Sequence, residues 1–78
     1  MKKEISEENK KRLEAIASYF RELRFSDGLT QAEVGENVNL HQNTVSRIEN
    51  GYNMNLISLF ELCDFYGVTV SEIINDQL

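Results

Sequence analysis

Apolar residues recur at helical spacing along the chain. In the first third they fall three or four positions apart, which is one face of a helix that begins near Ser6 and ends before Ser26. That face consists of Leu13, Ile16, Ala17, Phe20 and Leu23. The residues before it are polar, so we expect residues 1–6 to be disordered. The pattern over the whole chain predicts five helices and no strand.

A capping box marks the start of the second helix. In "TQAE", the Thr30 oxygen accepts an amide proton of the first turn, and Glu33 reaches back to the amide of the cap. The helix runs to about Val38, and Asn39 tolerates the left-handed conformation that a tight turn between helices requires. Gly35 lies inside this helix, where glycine costs about 1 kcal/mol relative to alanine. We therefore expect another helix to cross close to Gly35.

Glycine and asparagine delimit the last three helices. The third helix covers about residues 42–50, and Gly51 occupies the position at which a left-handed residue ends a helix. Asn55 caps a fourth helix that stops at Gly67, and a second capping box, "TVSE", opens a short fifth helix. The residues expected to face inward from the fourth helix are Leu56, Leu59, Phe60, Leu62, Cys63 and Tyr66.

Composition restricts the chemistry of the chain. Its 78 residues, 41% of them hydrophobic, are expected to form a single small domain. No apolar run approaches the roughly 20 residues of a membrane span, and no signal-peptide pattern is present, so we expect a cytoplasmic protein.

Cys63 is the only cysteine, which rules out an intramolecular disulfide and a zinc site of several thiolates. Because Cys63 lies in an apolar stripe, a buried thiol is a better explanation than a nucleophile paired with His41. We expect neither a cofactor nor an enzyme.

The charge is acidic overall and unevenly distributed. Eight basic residues stand against 13 acidic ones, a formal net charge of -5. Residues 1–24 contain seven of the basic residues, whereas residues 25–78 contain only Arg47 against eight acidic residues. Attraction to phosphate must therefore come from the first helix or from Arg47.

The third helix carries polar side chains that suit base edges. Gln42 and Asn43 each offer a donor and an acceptor, which adenine N6 and N7 require, while Arg47 offers two donors to guanine O6 and N7. A merely solvated helix face has the same composition. The residue types alone leave both interpretations open.

Two long segments resemble a known family. They are "LRFSDGLTQAEVGENVNLHQNTVSRIENG" and "LISLFELCDFYGVTVSEII", and they resemble the Cro/C1 repressor type of helix-turn-helix domain, the Xre-like family of phage and bacterial transcription regulators. The resemblance covers about residues 13–74. It implies an all-α, compact five-helix, lambda-repressor-like fold whose helices 2 and 3, residues 30–50, form the helix-turn-helix. It also implies a cytoplasmic, bacterial or phage-encoded regulator that binds double-stranded DNA at a palindromic operator as a homodimer.

The resemblance assigns roles to individual residues. It places Gln42, Asn43 and Arg47 at positions that read bases. It also implies a partly buried ion pair between Arg24 and Glu49 that ties helix 1 to the end of helix 3; the alternative is two independent exposed charges. The residues expected to contact the DNA backbone are Gln31, Thr30, His41, Thr44, Asn50, Tyr52 and Asn53.

The chain departs from the family pattern at two places. The segment after Gly51, "YNMN", carries none of the lysine or arginine that is usual there. We therefore expect weaker DNA binding, with a shallow salt dependence and more reliance on neutral hydrogen bonds. His41 stands where a serine or threonine cap is typical, and because imidazole is a poor N-cap we expect it to face a phosphate instead.

Further apolar residues on helices 4 and 5 predict a partner surface. Ile57 and Phe65 lie eight positions apart on helix 4 and so share roughly one side of it. With Ile74 and Leu78 they form the expected interface of a two-fold dimer; the alternative is packing on the N-terminal segment. A different class of function is an antitoxin-like or accessory module that binds chiefly a protein and DNA only weakly. The acidic composition after residue 25 motivates that alternative.

Overall fold

The chain folds into five helices joined by short turns. The structure, a computed structural model, describes residues 4–77, with side chains described as far as residue 75. Over that range it contains no strand and the helices α1 (Glu7–Ser26), α2 (Gln31–Val38), α3 (Gln42–Glu49), α4 (Leu56–Tyr66) and α5 (Val70–Gln77). The predicted all-helical fold is confirmed. Residues 1–3, on which part of the predicted disorder of residues 1–6 falls, and Leu78, predicted at the dimer interface, lie outside the described range. Within that range Ser6 caps α1, where its Oγ accepts a hydrogen bond from the Asn9 backbone N at 3.1 Å.

Every helix contributes to one hydrophobic core. The largest fully buried side chains are Phe20, Ile48, Leu62, Ile73, Val34 and Val45. Burial of an aliphatic or aromatic side chain contributes about 1.5–3 kcal/mol, so the core fixes all five helices against one another. Within it, α2 and α3 pack directly on each other, and α1 crosses both α3 and α5.

The turn between α2 and α3 depends on two residues. Asn39 ends α2 with φ 57° and ψ 42°, the left-handed conformation predicted for it. At Gly35, an added Cβ would lie 2.5 Å from the carbonyl oxygen of Leu40. The expected close approach is therefore present, but the prediction of a crossing helix was wrong, because the backbone of the turn itself comes close. Glycine lets α3 fold back tightly on α2.

The orientation of α4 differs from the prediction. Leu56 is 67% exposed and Phe60 is 48% exposed, although both were expected to face inward. The residues that α4 buries are Ser58, Leu62 and Cys63. The prediction was wrong because apolar residues occur on every side of this helix, so that spacing alone does not fix which side is buried. Nowhere in residues 4–77 is there a helix long and apolar enough to cross a membrane.

Candidate nucleic-acid interface

The amino end of α3 presents two exposed amide side chains. Gln42 and Asn43 occupy its first turn, and both are exposed. The cap is His41, whose Nδ1 accepts a hydrogen bond from the Asn43 backbone N at 3.0 Å. The expectation that imidazole would not cap this helix was wrong, since the unprotonated ring nitrogen of a neutral histidine is an acceptor. The capping bond places the ring proton on Nε2, and this N–H remains a donor on an exposed side chain.

Arg47 stacks on an aromatic ring. Its Cζ lies 4.5 Å from the centroid of the Tyr52 ring, at a cation–π distance. The contact restricts the conformations of the long arginine side chain and leaves the edge of the guanidinium available as a donor. Sequence reasoning missed this pair, although an aromatic residue directly after the helix-ending Gly51 was a usable signal.

The carboxyl end of α3 is fixed by a buried polar cluster around Glu49. Arg24 Nε donates to both carboxylate oxygens of Glu49, at 2.8 and 3.0 Å. Gln31 Nε2 donates to Oε1 at 3.1 Å, and Arg21 Nη1 donates to the Glu49 backbone oxygen at 2.7 Å. Glu49 is only 3% exposed, and its hydrogen bond raises the pKa of Arg24. Side chains from α1 and α2 thus converge on one residue of α3, and Arg24 and Glu49 are not independent exposed charges.

Two members of this cluster make contacts that the sequence analysis did not predict. Gln31 was expected to bind a phosphate, but it is half-buried and donates one amide hydrogen to Glu49. A second N–H of its carboxamide remains as a donor. Arg21 was not predicted as a contact at all. Basic side chains often bind the last carbonyl groups of a helix, and that rule was the signal for Arg21.

At the start of α2, Thr30 and Glu33 are hydrogen-bonded to each other. The Thr30 backbone N donates to Glu33 Oε1 at 2.9 Å, and its Oγ1 accepts from the Glu33 backbone N at 3.1 Å. Both groups of Thr30 lower the pKa of Glu33, so a charged carboxylate lies at this helix end at neutral pH. The capping box of Thr30 and Glu33 is confirmed. Because the Glu33 carboxylate is negative, it weakens the attraction of the amino end of α2 for a phosphate.

The other residues expected at the DNA backbone lie at the two ends of α3. Asn50 Nδ2 donates to the Ser46 backbone oxygen at 2.8 Å, so part of its donor capacity is used within the helix. Thr44 is half-buried, whereas Tyr52 and Asn53 are exposed. The structure therefore leaves Asn53 and the Tyr52 hydroxyl accessible, and Asn50 partly engaged.

The outer side of α4 exposes three apolar residues. Phe60 follows Leu56 by four positions and Ile57 by three, so its side chain lies near both, and we call these three residues the α4 outer surface. Of the residues predicted to form a dimer interface, Ile57 and Ile74 are exposed, which contradicts packing of Ile57 on the N-terminal segment. Phe65 is half-buried and packs against the core. It belongs to the interior more than to a partner surface.

Cys63 is a core residue. It is 4% exposed, and burial raises the pKa of its thiol, which disfavours the nucleophilic thiolate. Across the residues that the structure describes, no group of three or more histidine, cysteine, aspartate or glutamate side chains could hold a metal ion.

Two short helices joined by a tight turn, the second with an exposed polar amino end, define a helix-turn-helix domain. The helix-turn-helix family model matches residues 19–73, more than half of the chain. The chain belongs to the Cro/C1-type, Xre-like helix-turn-helix family of DNA-binding regulators, which are generally not enzymes. The predicted family and its lambda-repressor-like fold are confirmed. No solved structure matches the chain.

Proposed function

We propose that this chain is a sequence-specific transcription regulator whose helix α3 reads bases in the major groove. The observation that carries the proposal is the contrast within α3. Gln42 and Asn43 are exposed at its amino end, while Glu49 fixes its carboxyl end to α1 and α2. A helix held at one end presents its readers at a defined angle, and such preorganisation reduces the cost of binding.

Base reading and positioning fall to different residues in this proposal. Gln42, Asn43 and Arg47 specify the sequence, and Arg47 does so from its stacked position on Tyr52. The residues that contact the DNA backbone are Gln31, Thr30, His41, Thr44, Asn50, Tyr52 and Asn53. Among them, His41 contributes through Nε2–H, because Nδ1 is occupied by the cap.

The proposal is tested on duplexes selected from a random pool, with binding followed by fluorescence anisotropy. Gln42→Ala and Asn43→Ala should each cost about 1–3 kcal/mol on the selected duplex and relax preference at one base position. Asn37→Ala, an exposed asparagine of α2, is the matched control and should change neither quantity. Unchanged specific affinity in both α3 variants would exclude α3 as the reader.

We further propose that the protein acts as a cytoplasmic homodimer on a palindromic operator with half-sites about one helical turn apart. The exposed Ile57 and Ile74 support a two-fold interface, to which the neighbouring Leu56 and Phe60 add area. Ile57→Lys should lower the sedimentation coefficient to that of a monomer and weaken operator binding. Glu22→Gln, on exposed α1 surface, changes the net charge by the same amount and is the matched control, which should leave the association state unchanged.

The α4 outer surface and the net charge of -5 also fit the second class of function, a module that binds chiefly a protein. The two functions differ in one measurement. Absence of DNA binding by the wild-type protein at low salt would favour the protein-binding module, because electrostatic attraction to DNA is strongest there.

A further inference from the structure

A groove connects the carboxyl half of α3 to the amino half of α1. It has a volume of about 440 Å³, and its lining includes Lys10, Arg47, Asn50, Tyr52 and Asn53. Four of these five residues belong to α3 or to the loop after it, the region proposed to face DNA. Lys10 is the exception, since it comes from a helix to which no DNA contact has been assigned.

Packing of the loop on α1 explains how Lys10 reaches this place. An added Cβ at Gly51 would lie 3.3 Å from Glu14 Cγ, so the loop after α3 lies directly on α1 at that residue. Lys10 precedes Glu14 by four residues, which is about one helical turn on the same side of α1. The first part of α1 therefore extends past the end of α3, and Lys10 lies beside the uncharged loop.

The charges in the groove favour an anion. Lys10 and Arg47 contribute two cations against the carboxylate of Glu14. Lys10 also lies 3.4 Å from Glu7, but that ion pair is exposed, and such pairs contribute little. Ile5 and Leu13 line the apolar part of the groove, where they can support the stem of Lys10.

We propose that this groove binds a phosphate of the DNA backbone, with Lys10 as its cation and the carboxamides of Asn50 and Asn53 as N–H donors. The proposal rests on the proposed function, because it adds a contact to the same DNA-binding face. It also assigns to α1 the charge that the segment from Tyr52 to Asn55 lacks. A phosphate held here is about one turn of α1 away from the contact of Glu14 with Gly51.

The salt dependence of binding tests the phosphate site. Lys10→Gln should reduce the slope of log K against log salt by about 0.9, the value for one neutralised phosphate. Between about 50 and 200 mM salt, the affinity loss should then be about three- to fourfold smaller than for wild type. The weakening at low salt should be equal on the selected duplex and on a scrambled duplex, because a phosphate contact carries no sequence information.

Two further variants make the test specific. Lys11→Gln removes a neighbouring exposed lysine that does not line the groove, and it should leave the slope close to that of wild type. Glu14→Gln removes the opposing carboxylate with little change of shape, and it should raise affinity for both duplexes. Equal slopes for wild type and Lys10→Gln, or equal effects of Lys10→Gln and Lys11→Gln, would overturn the phosphate site.

The outcomes separate this proposal from the proposed function. If Gln42→Ala removes sequence discrimination and Lys10→Gln has no effect on the slope, α3 reads DNA and the groove does not bind phosphate. If the wild-type protein binds no DNA at low salt, both proposals fall. Circular dichroism of each variant verifies folding, which exposed substitutions on α1 should leave intact.

Discussion

The amino end of α3 carries exposed Gln42 and Asn43 and has one side-chain cap, in which His41 Nδ1 accepts from the Asn43 backbone N, whereas the carboxyl end is buried at Glu49. Arg24, Gln31 and Arg21 all donate to that one residue. Gln42 and Asn43 thus lie on a helix whose far end is hydrogen-bonded to both α1 and α2. The buried contacts therefore hold α3 at the end away from Gln42 and Asn43, and they fix the direction of the helix without using the side-chain donors of these two residues.

Substitutions at the two ends of α3 should also differ in their effect on folding stability. A buried ion pair adds little net stability, but loss of one member leaves the other charge without compensation. Surface side chains such as Gln42 and Asn43 can be replaced with stability changes usually within about 0.5 kcal/mol. We therefore expect substitutions at the carboxyl end to affect folding and those at the amino end to affect recognition.

The largest effect is expected at the buried pair. The Arg24 side chain is only 11% exposed, and Glu49→Ala removes the carboxylate that compensates its charge. This substitution should lower the unfolding free energy, measured by urea denaturation, by about 3–5 kcal/mol. The matched control replaces both members, Arg24→Leu with Glu49→Leu, and should recover most of that loss. An equal loss in the single and double variants would mean that the cluster acts by packing and not by charge.

A smaller effect is expected where α2 meets α3. Gly35→Ala gains about 1 kcal/mol of helix propensity, but its Cβ would be 2.5 Å from the Leu40 carbonyl oxygen, and the backbone would have to shift. Such overpacking typically costs about 1–3 kcal/mol, so we expect a net loss of stability by urea denaturation. Glu36→Ala, an exposed position on the same helix, is the control and should be near neutral. A more stable Gly35→Ala protein would contradict the close turn.

At the amino end of α3, substitution of the capping residue should change the unfolding free energy only slightly. His41→Ala removes the acceptor for the Asn43 amide and should lower the unfolding free energy by about 0.5–1 kcal/mol. His41→Ser restores a good capping oxygen and should be at least as stable as wild type. Thermal unfolding of the three proteins ranks them, and a more stable alanine variant would show that His41 does not cap α3.

Features that depend on near neighbours could be predicted from the sequence. The caps at Thr30 and Asn55 join residues three apart, and the left-handed Asn39 depends on its own side chain, so the helix bounds followed from local chemistry. The exposed positions of Gln42 and Asn43 followed in the same way, while their roles toward DNA stay predictions.

Features that depend on distant residues could not be predicted from residue spacing; the ion pair of Arg24 and Glu49, 25 positions apart, was expected only through the family resemblance. Arg21 and the Glu49 oxygen that it binds are 28 positions apart, and no periodic pattern joins them. The orientation of α4 depends on which of several apolar sides the other helices cover, which led to the wrong inward assignment of Leu56 and Phe60. The sequence does not distinguish Lys10 from the other six basic residues of positions 1–24. Its position in the groove depends on packing of the loop after α3 against α1.

The smallest effect is expected at Tyr66. This residue lies near the buried cluster, where the charges of Glu49 and Arg24 affect the pKa of its hydroxyl. Its hydroxyl is buried and makes no hydrogen bond within the part of the chain that the structure describes. Because an unsatisfied polar group opposes folding, Tyr66→Phe should leave the unfolding free energy unchanged or raise it by up to about 1 kcal/mol at neutral pH.

The pH dependence of this variant gives a second readout. Burial raises the pKa of Tyr66 from 10.0 to about 12, so above pH 10 the unfolded chain loses this proton while the folded chain retains it. Wild type should therefore lose stability relative to Tyr66→Phe as the pH rises above 10. Urea denaturation of both proteins at neutral pH and above pH 10 measures the difference. A substantial loss of stability in Tyr66→Phe at neutral pH would mean that the hydroxyl binds the cluster, and the carboxyl end of α3 would then be held by one more donor.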